Sequence, residues 1–323
     1  MPVNKYIKLV VLFFLLVQQT TFASTVLYDD SRGLSNNHVT KMVKDKTGLL
    51  WIATLNGLNT FDGYSFKEID AFRGIKINAL CYDPSGRFLW IGSNKGLYRI
   101  SLSTNKIVDY TSLLQKKEVS ELFVHNDLLY VVFFHGTVIS IDANNEARAV
   151  FGIRSLGVKS SYFGKNMATD HAGNLYFTLN GSNHLVKLNL PSGMVKLLND
   201  THSKEVVAIT SMPGFCMSYL QNGGINLLGT SQTEGDFTPM INKPDTRIGV
   251  FHRYQDEFYA SLHDKFGVFA FNPQTASWEP IKSDQSVSFK SKVITCIFRD
   301  AYHVLWVGTN KGLIKIDIDA PRH

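Results

Sequence analysis

A unit of about forty residues returns along the whole chain, and that recurrence limits the fold more tightly than any local pattern. Its clearest copy runs from Val39 to Val43, turns through Asp45-Lys46-Thr47-Gly48, and continues as Leu49-Leu50-Trp51-Ile52-Ala53-Thr54. It then turns at Asn56-Gly57-Leu58 and closes with Phe61-Asp62-Gly63-Tyr64-Ser65-Phe66. The same order returns around Leu89-Trp90-Ile91-Gly92 and Leu305-Trp306-Val307-Gly308. Four weaker copies put Tyr130, Tyr176, Met217 and Phe258 at the tryptophan position. The seven markers are spaced by 39, 40, 46, 41, 41 and 48 residues.

Within each unit, segments of four to six residues rich in Val, Ile, Leu, Phe and Tyr alternate with Gly, Asn, Asp and Pro. That is the pattern of short strands joined by tight turns, and no stretch holds a helical period. The sequence therefore predicts an all-β fold, a seven-bladed β-propeller of four-stranded antiparallel blades. The seventh unit ends after its third strand, while Thr25-Val26-Leu27-Tyr28 stands before the first unit and belongs to no earlier blade. Pairing that segment as the outer strand of the last blade would close the ring.

Asp45, Asp83, Asp127, Asp170, Asp256 and Asp300 recur at the first turn of the unit. Turn chemistry explains them, because an Asp carboxylate accepts hydrogen bonds from the backbone two residues on. The recurring aromatic has apolar neighbours on both sides and reads as packing between sheets. Cys81, Cys216 and Cys296 lie in apolar segments at spacings that match no zinc pattern, and they read as buried free thiols.

The N-terminus has the layout of a secretory signal. Lys5 and Lys8 precede the apolar run from Leu9 to Val17, and Thr21-Phe22-Ala23 leads into Ser24. The expected organisation is a signal peptide at 1–23 and one propeller at 24–323, placed in the periplasm. The apolar run is too short to span a bilayer, so no stable membrane insertion is expected after cleavage. Loss of Lys5 and Lys8 takes the formal charge from +6 to +4, and no run of consecutive basic residues occurs, which disfavours nucleic acid as a partner.

Gly33-Leu34-Ser35-Asn36-Asn37-His38-Val39, followed by Asp45-Lys46-Thr47-Gly48-Leu49-Leu50-Trp51-Ile52-Ala53-Thr54 and Asn56-Gly57-Leu58, closely resembles the two-component-regulator propeller repeat. That repeat builds the periplasmic sensor half of hybrid two-component systems in Bacteroides-like bacteria. The resemblance implies recognition of an oligosaccharide, with the signal passed to a kinase. The kinase and membrane modules of such systems have no counterpart in this sequence, so a second propeller or a sensor-kinase module is an expected partner.

In a propeller, the loops between second and third strands emerge on one face, together with those linking successive blades. Here they carry Asn36, Asn37, His38, Asn56, Arg73, Asn94, Lys95, His135, His263, Lys265, Asn310 and Lys311, which form the candidate ligand-binding set. Most acidic turn residues fall on the opposite face. A basic ring around a concavity concentrates anions, so an acidic sugar is the expected ligand.

Two other classes stay open, a scaffold that docks another periplasmic protein and a propeller-type hydrolase or lyase acting on glycans. No carboxylate pair, Ser-His or Cys-His spacing, or metal-ligand pattern supports catalysis, and the sequence predicts no catalytic residue, no metal and no cofactor.

Overall fold

Strands that are covered on both faces need apolar residues at every position, and the centre of each repeat supplies them. In the computed structural model every residue of Leu50–Thr54 and of Val304–Thr309 is buried. The structure describes residues 24–318 apart from 84, 116, 158–161, 180–184, 199–205, 213–214, 221–224, 229–247, 263–264, 273, 276 and 282–286. The proposed signal at 1–23 therefore lies outside the described residues.

Strand β1 (Thr25–Tyr28) comes first in the chain. Strands β2 (Val39–Lys44), β3 (Leu50–Thr54), β4 (Gly57–Phe61) and β5 (Phe66–Glu68) make one antiparallel blade. The next is β6 (Ile77–Tyr82), β7 (Phe88–Ser93), β8 (Gly96–Ser101) and β9 (Ile107–Asp109), followed by β10 (Val119–His125), β11 (Leu128–Phe133), β12 (Thr137–Ile141) and β13 (Ala147–Gly152). Then come β14 (Phe163–Thr169), β15 (Asn174–Leu179), β16 (Leu185–Asn189) and β17 (Val195–Leu198). A three-stranded sheet follows, β18 (Val206–Met212), β19 (Phe215–Leu220) and β20 (Ile225–Leu228). The chain continues with β21 (Ile248–Tyr254), β22 (Glu257–Leu262), β23 (Val268–Asn272) and β24 (Ser277–Pro280), and ends with β25 (Ile294–Arg299), β26 (Val304–Thr309) and β27 (Gly312–Asp317).

The expectation of seven four-stranded blades is corrected by this topology. Among the described residues six sheets have four strands, and the unit built around Met217 has three.

The last blade takes its outer strand from the N-terminus, in the order β1-β27-β26-β25, with Thr25 opposite Ile316 and Tyr28 opposite Leu313. Tyr28 also packs on Phe61, Phe66 and Trp306, at ring-centroid distances of 5.4, 5.3 and 6.3 Å, so the closing strand touches both the last and the first blade. The core is divided between neighbouring sheets. Alternation along β3 sends Trp51 and Ala53 toward the second blade, with Ile77, Leu89 and Ile91, and sends Leu50 and Ile52 toward the last, with Val304, Trp306 and Leu313.

The innermost strands are stapled to one another. Every first strand has a register shift against its partner near its start, as between Val39 and Lys41 or Ile294 and Cys296. The side chain beside that bulge turns to the next blade. Thr295 Oγ1 donates to the Val39 carbonyl at 2.6 Å, Thr40 Oγ1 to the Ile77 carbonyl at 2.7 Å, and Asn78 Nδ2 to the Val119 carbonyl at 2.8 Å.

The recurring Asp closes its turn as the sequence predicts, and does more. Asp45 Oδ1 accepts from the Thr47 and Leu49 amides at 2.8 and 3.0 Å, while Oδ2 accepts from Trp51 Nε1 at 3.1 Å. Asp300 repeats this with Trp306 Nε1 at 3.3 Å, and Asp170 with the Tyr176 hydroxyl at 3.2 Å. The spacing of six residues thus satisfies the one polar atom of a buried aromatic ring.

The cysteines are free. Burial pushes the Cys81 thiol up to about 12 and the Cys296 thiol up to about 11, and Cys216 is fully buried. Since the thiolate is the reactive form, native protein at neutral pH is expected to give no thiol titre with an aromatic disulfide reagent and the full titre of three only in denaturant. A native titre would contradict this packing.

Candidate ligand-binding face

Three of the turns between second and third strands share one construction. A hydroxyl residue ends the second strand, two residues project, and a glycine opens the third. Thr54 Oγ1 accepts the Asn56 amide at 3.1 Å and donates to the Gly57 carbonyl at 3.0 Å. Ser93 does the same for Lys95 and Gly96, and Thr309 for Lys311 and Gly312. The glycine is required twice over at Gly312, where φ is +117° and a Cβ would lie 2.5 Å from the Tyr28 carbonyl oxygen. The turns are further held to the blade-linking loops, with the Leu55 amide on the His38 carbonyl, Asn94 on Lys76, Phe134 on Glu118 and Asn310 on Val293.

Connections between second and third strands carry Lys265, Lys311, Asn56, Lys95 and His135 in five successive blades, running from β21–β24 through the closing blade to β10–β13. Lys265, Asn56, Asn94, Lys95, His135 and Lys311 are exposed. Asn310 Oδ1 accepts the Val293 amide at 2.8 Å and shapes the loop. His38 lies at the foot of one turn, and partial burial lowers its pKa.

Three residues of the expected set are committed elsewhere. Asn36 Oδ1 accepts the His38 amide at 2.9 Å, and Asn37 Oδ1 accepts the Asp30 amide at 2.8 Å, so both caps serve their own loop. Arg73 is tied to Glu68 and Asp70 at 3.1 and 2.8 Å. His263 lies outside the described residues.

The opposite ends of the strands carry Asp45, Asp62, Asp83, Asp142, Asp170 and Asp300, most of them engaged in turn hydrogen bonds. On the basic face Glu118 is matched to Lys76 at 3.0 Å and to Asn78 at 3.1 Å. Deeper in the ring Lys41 of β2 meets Glu121 of β10 at 2.7 Å, and that carboxylate holds the lysine above its ordinary pKa.

Phe134 and Tyr162, 51 % and 47 % exposed, stand with ring centroids 6.0 Å apart on the same face. Neither belongs to the ligand-binding set expected from the sequence. The available signal was Phe134 itself, a large apolar residue at the turn position where two clear copies of the repeat place Asn94 and Asn310.

Among the described residues, no group of three His, Cys, Asp or Glu side chains is arranged to hold a metal, and no helix is long and apolar enough to cross a membrane.

Residues 33–56 and 288–311 match the two component regulator propeller family, and each segment ends at one of the hydroxyl-capped turns. No curated protein matches the sequence. Among solved structures, the chain is similar to the extracellular domain of BT3049 from B. thetaiotaomicron, described as a hybrid two component system. Identity there is 21%, the TM-score is 0.70, and the match covers 91% of this chain and 42% of that one. The corresponding domain of BT4673 gives 15% identity and a TM-score of 0.69, covering 92% and 39%. The repeat-bearing chain thus spans about two fifths of the length of those relatives. Virginiamycin B lyase from Staphylococcus aureus has the same architecture at 14% identity and a TM-score of 0.69, covering 92% of this chain and 99% of the lyase. At such identities the likeness is one of fold.

Proposed function

We propose that this propeller is the exported, ligand-sensing part of a two-component signalling system and that it recognises an oligosaccharide, without catalysing a reaction. The observation that carries the proposal is the conjunction of regulator-propeller repeats with a single face on which five successive blades present Lys265, Lys311, Asn56, Lys95 and His135. Amide and ammonium groups at regular intervals offer hydrogen bonds to sugar hydroxyls, and the excess of positive charge favours an acidic glycan. Lys5, Lys8 and the apolar run before Ser24 support export. Binding would then be relayed to a second propeller or a kinase-bearing module.

Charge reversal at two of these turns is the test. Lys95→Glu with Lys311→Glu is expected to weaken binding of an acidic oligosaccharide by roughly tenfold or more, while Arg73→Gln, which removes an already paired charge, leaves it within about twofold. Undiminished binding by the double variant would remove the basic face from recognition.

A further inference from the structure

The exposed aromatic pair sits inside a cluster of positive groups. The Phe134 amide bonds the Glu118 carbonyl at 3.1 Å, which brings Lys117 against one side of the Phe134-His135-Gly136 turn. The Ile153 amide bonds the Gly136 carbonyl at 2.8 Å, so the exposed Arg154 directly follows the residue tied to the other side of the turn. His135 is stacked on Phe133 at 5.6 Å, and Lys117 Nζ lies 5.8 Å from the centroid of that same ring. Burial lowers the His135 pKa first, and the Lys117 and Arg154 charges lower it further. Among the described residues neither Lys117 nor Arg154 has an acidic partner, and the nearby Glu118 is taken by Lys76 and Asn78.

Exposed aromatic rings side by side on a soluble surface mark a contact site, and cations without counter-ions around them define its charge. The apolar C–H face of a pyranose fits an aromatic ring, and a ring-borne carboxylate or sulfate fits a guanidinium and an ammonium. Building on the proposed function, we infer that this corner of the face, where the β10–β13 and β14–β17 blades meet, is the contact for one anionic sugar residue. Phe134 and Tyr162 take the ring face, and Arg154 and Lys117 take the acidic group. Carboxylated and sulfated sugars share this chemistry.

The test is titration calorimetry of the full protein with tetragalacturonate, its methyl ester, a sulfated disaccharide and neutral tetrasaccharides. Phe134→Ala and Arg154→Gln are each expected to weaken binding of the better acidic probe by about tenfold, the loss of one charge-assisted or one stacking contact. Tyr64→Ala, an aromatic 96 % exposed on the opposite face, is expected to leave it unchanged. The methyl ester is expected to bind more weakly than the acid. Both altered side chains are exposed and hold no partner in the core, and thermal unfolding of each variant checks that the fold is kept. Acidic probes bound equally by wild type and both variants would overturn the corner assignment and leave the sensing role standing, and so would binding of neutral sugars alone. No binding to any probe would count against both.

Discussion

Replacing Tyr28 by alanine is expected to lower the unfolding free energy by about 3 kcal/mol, within the range for truncating a large packed aromatic. Tyr28 packs on Phe61 and Phe66 of the first blade and on Trp306 of the last, so the substitution empties the junction where the ring closes. It also loosens β1, whose four residues pair with Leu313 to Ile316 and cover the edge of β27. An uncovered edge offers unpaired amides and carbonyls to other chains, so aggregation on heating is expected along with the lower midpoint. Exposed aromatics such as Tyr64 give the comparison: Tyr64→Ala is expected within about 0.5 kcal/mol of wild type. Equal midpoints for the two variants in denaturant titrations would mean that β1 does not hold the ring shut.

The second large effect is a pH dependence centred on His252. Burial lowers this histidine to about 4, and its Nε2 accepts the Arg299 amide at 3.1 Å, an interaction open only to the neutral ring. Arg299 is buried, its guanidinium lies against the Tyr259 hydroxyl and His303 Nδ1 at 3.3 and 3.0 Å, and its one carboxylate neighbour among the described residues is Glu257 at 3.5 Å. Phe298 and Tyr254 fill the rest, the first 5.9 Å from the His252 ring and the second under the guanidinium.

Between the ordinary histidine value of 6.5 and about 4, the unfolded chain binds a proton that the native chain refuses. This contribution is therefore fully present above pH 6.5 and is lost as pH falls toward 4, amounting to roughly 3 kcal/mol across the window. His252→Gln keeps an acceptor for the Arg299 amide and removes the titration. Its stability is expected to fall much less between pH 7 and pH 4.5 than that of wild type. Parallel curves for the two proteins would show that His252 is not the group responsible.

Much of the architecture was legible because the chain states it repeatedly. Trp51, Trp90 and Trp306 fix the second strand of three blades, the Asp six residues before Trp51 and Trp306 fixes the preceding turn, and Thr25 to Tyr28 had no other strand to join. The unit around Met217 was misjudged. A period argument counts units and assigns each the same four strands, whereas among the described residues the unit around Met217 pairs three.

Which residues of the candidate face stand exposed was legible in part. Lys95 and Lys311 follow from their turn positions, since a two-residue turn must project both residues. Arg73, Asn36 and Asn37 do not, because the partners that occupy them, Glu68 and Asp70, the His38 amide and the Asp30 amide, become neighbours through loop conformation. Arg154 and Tyr162 were beyond reach for the same reason. Nothing in the local sequence says that Tyr162 meets Phe134, or that Arg154 follows a residue tied to Gly136; the packing of neighbouring blades and the Ile153 to Gly136 hydrogen bond do that.

Recognition of an oligosaccharide on the basic loop face is the central claim, and salt dependence tests it most directly. The measurement is calorimetric titration of the purified protein with matched neutral and acidic oligosaccharides, at low ionic strength and again at raised salt. The expected result is binding that favours the acidic members and weakens as salt screens Lys95, Lys311 and their neighbours. Binding indifferent to both ligand charge and salt, or none to any member of the panel, would contradict it.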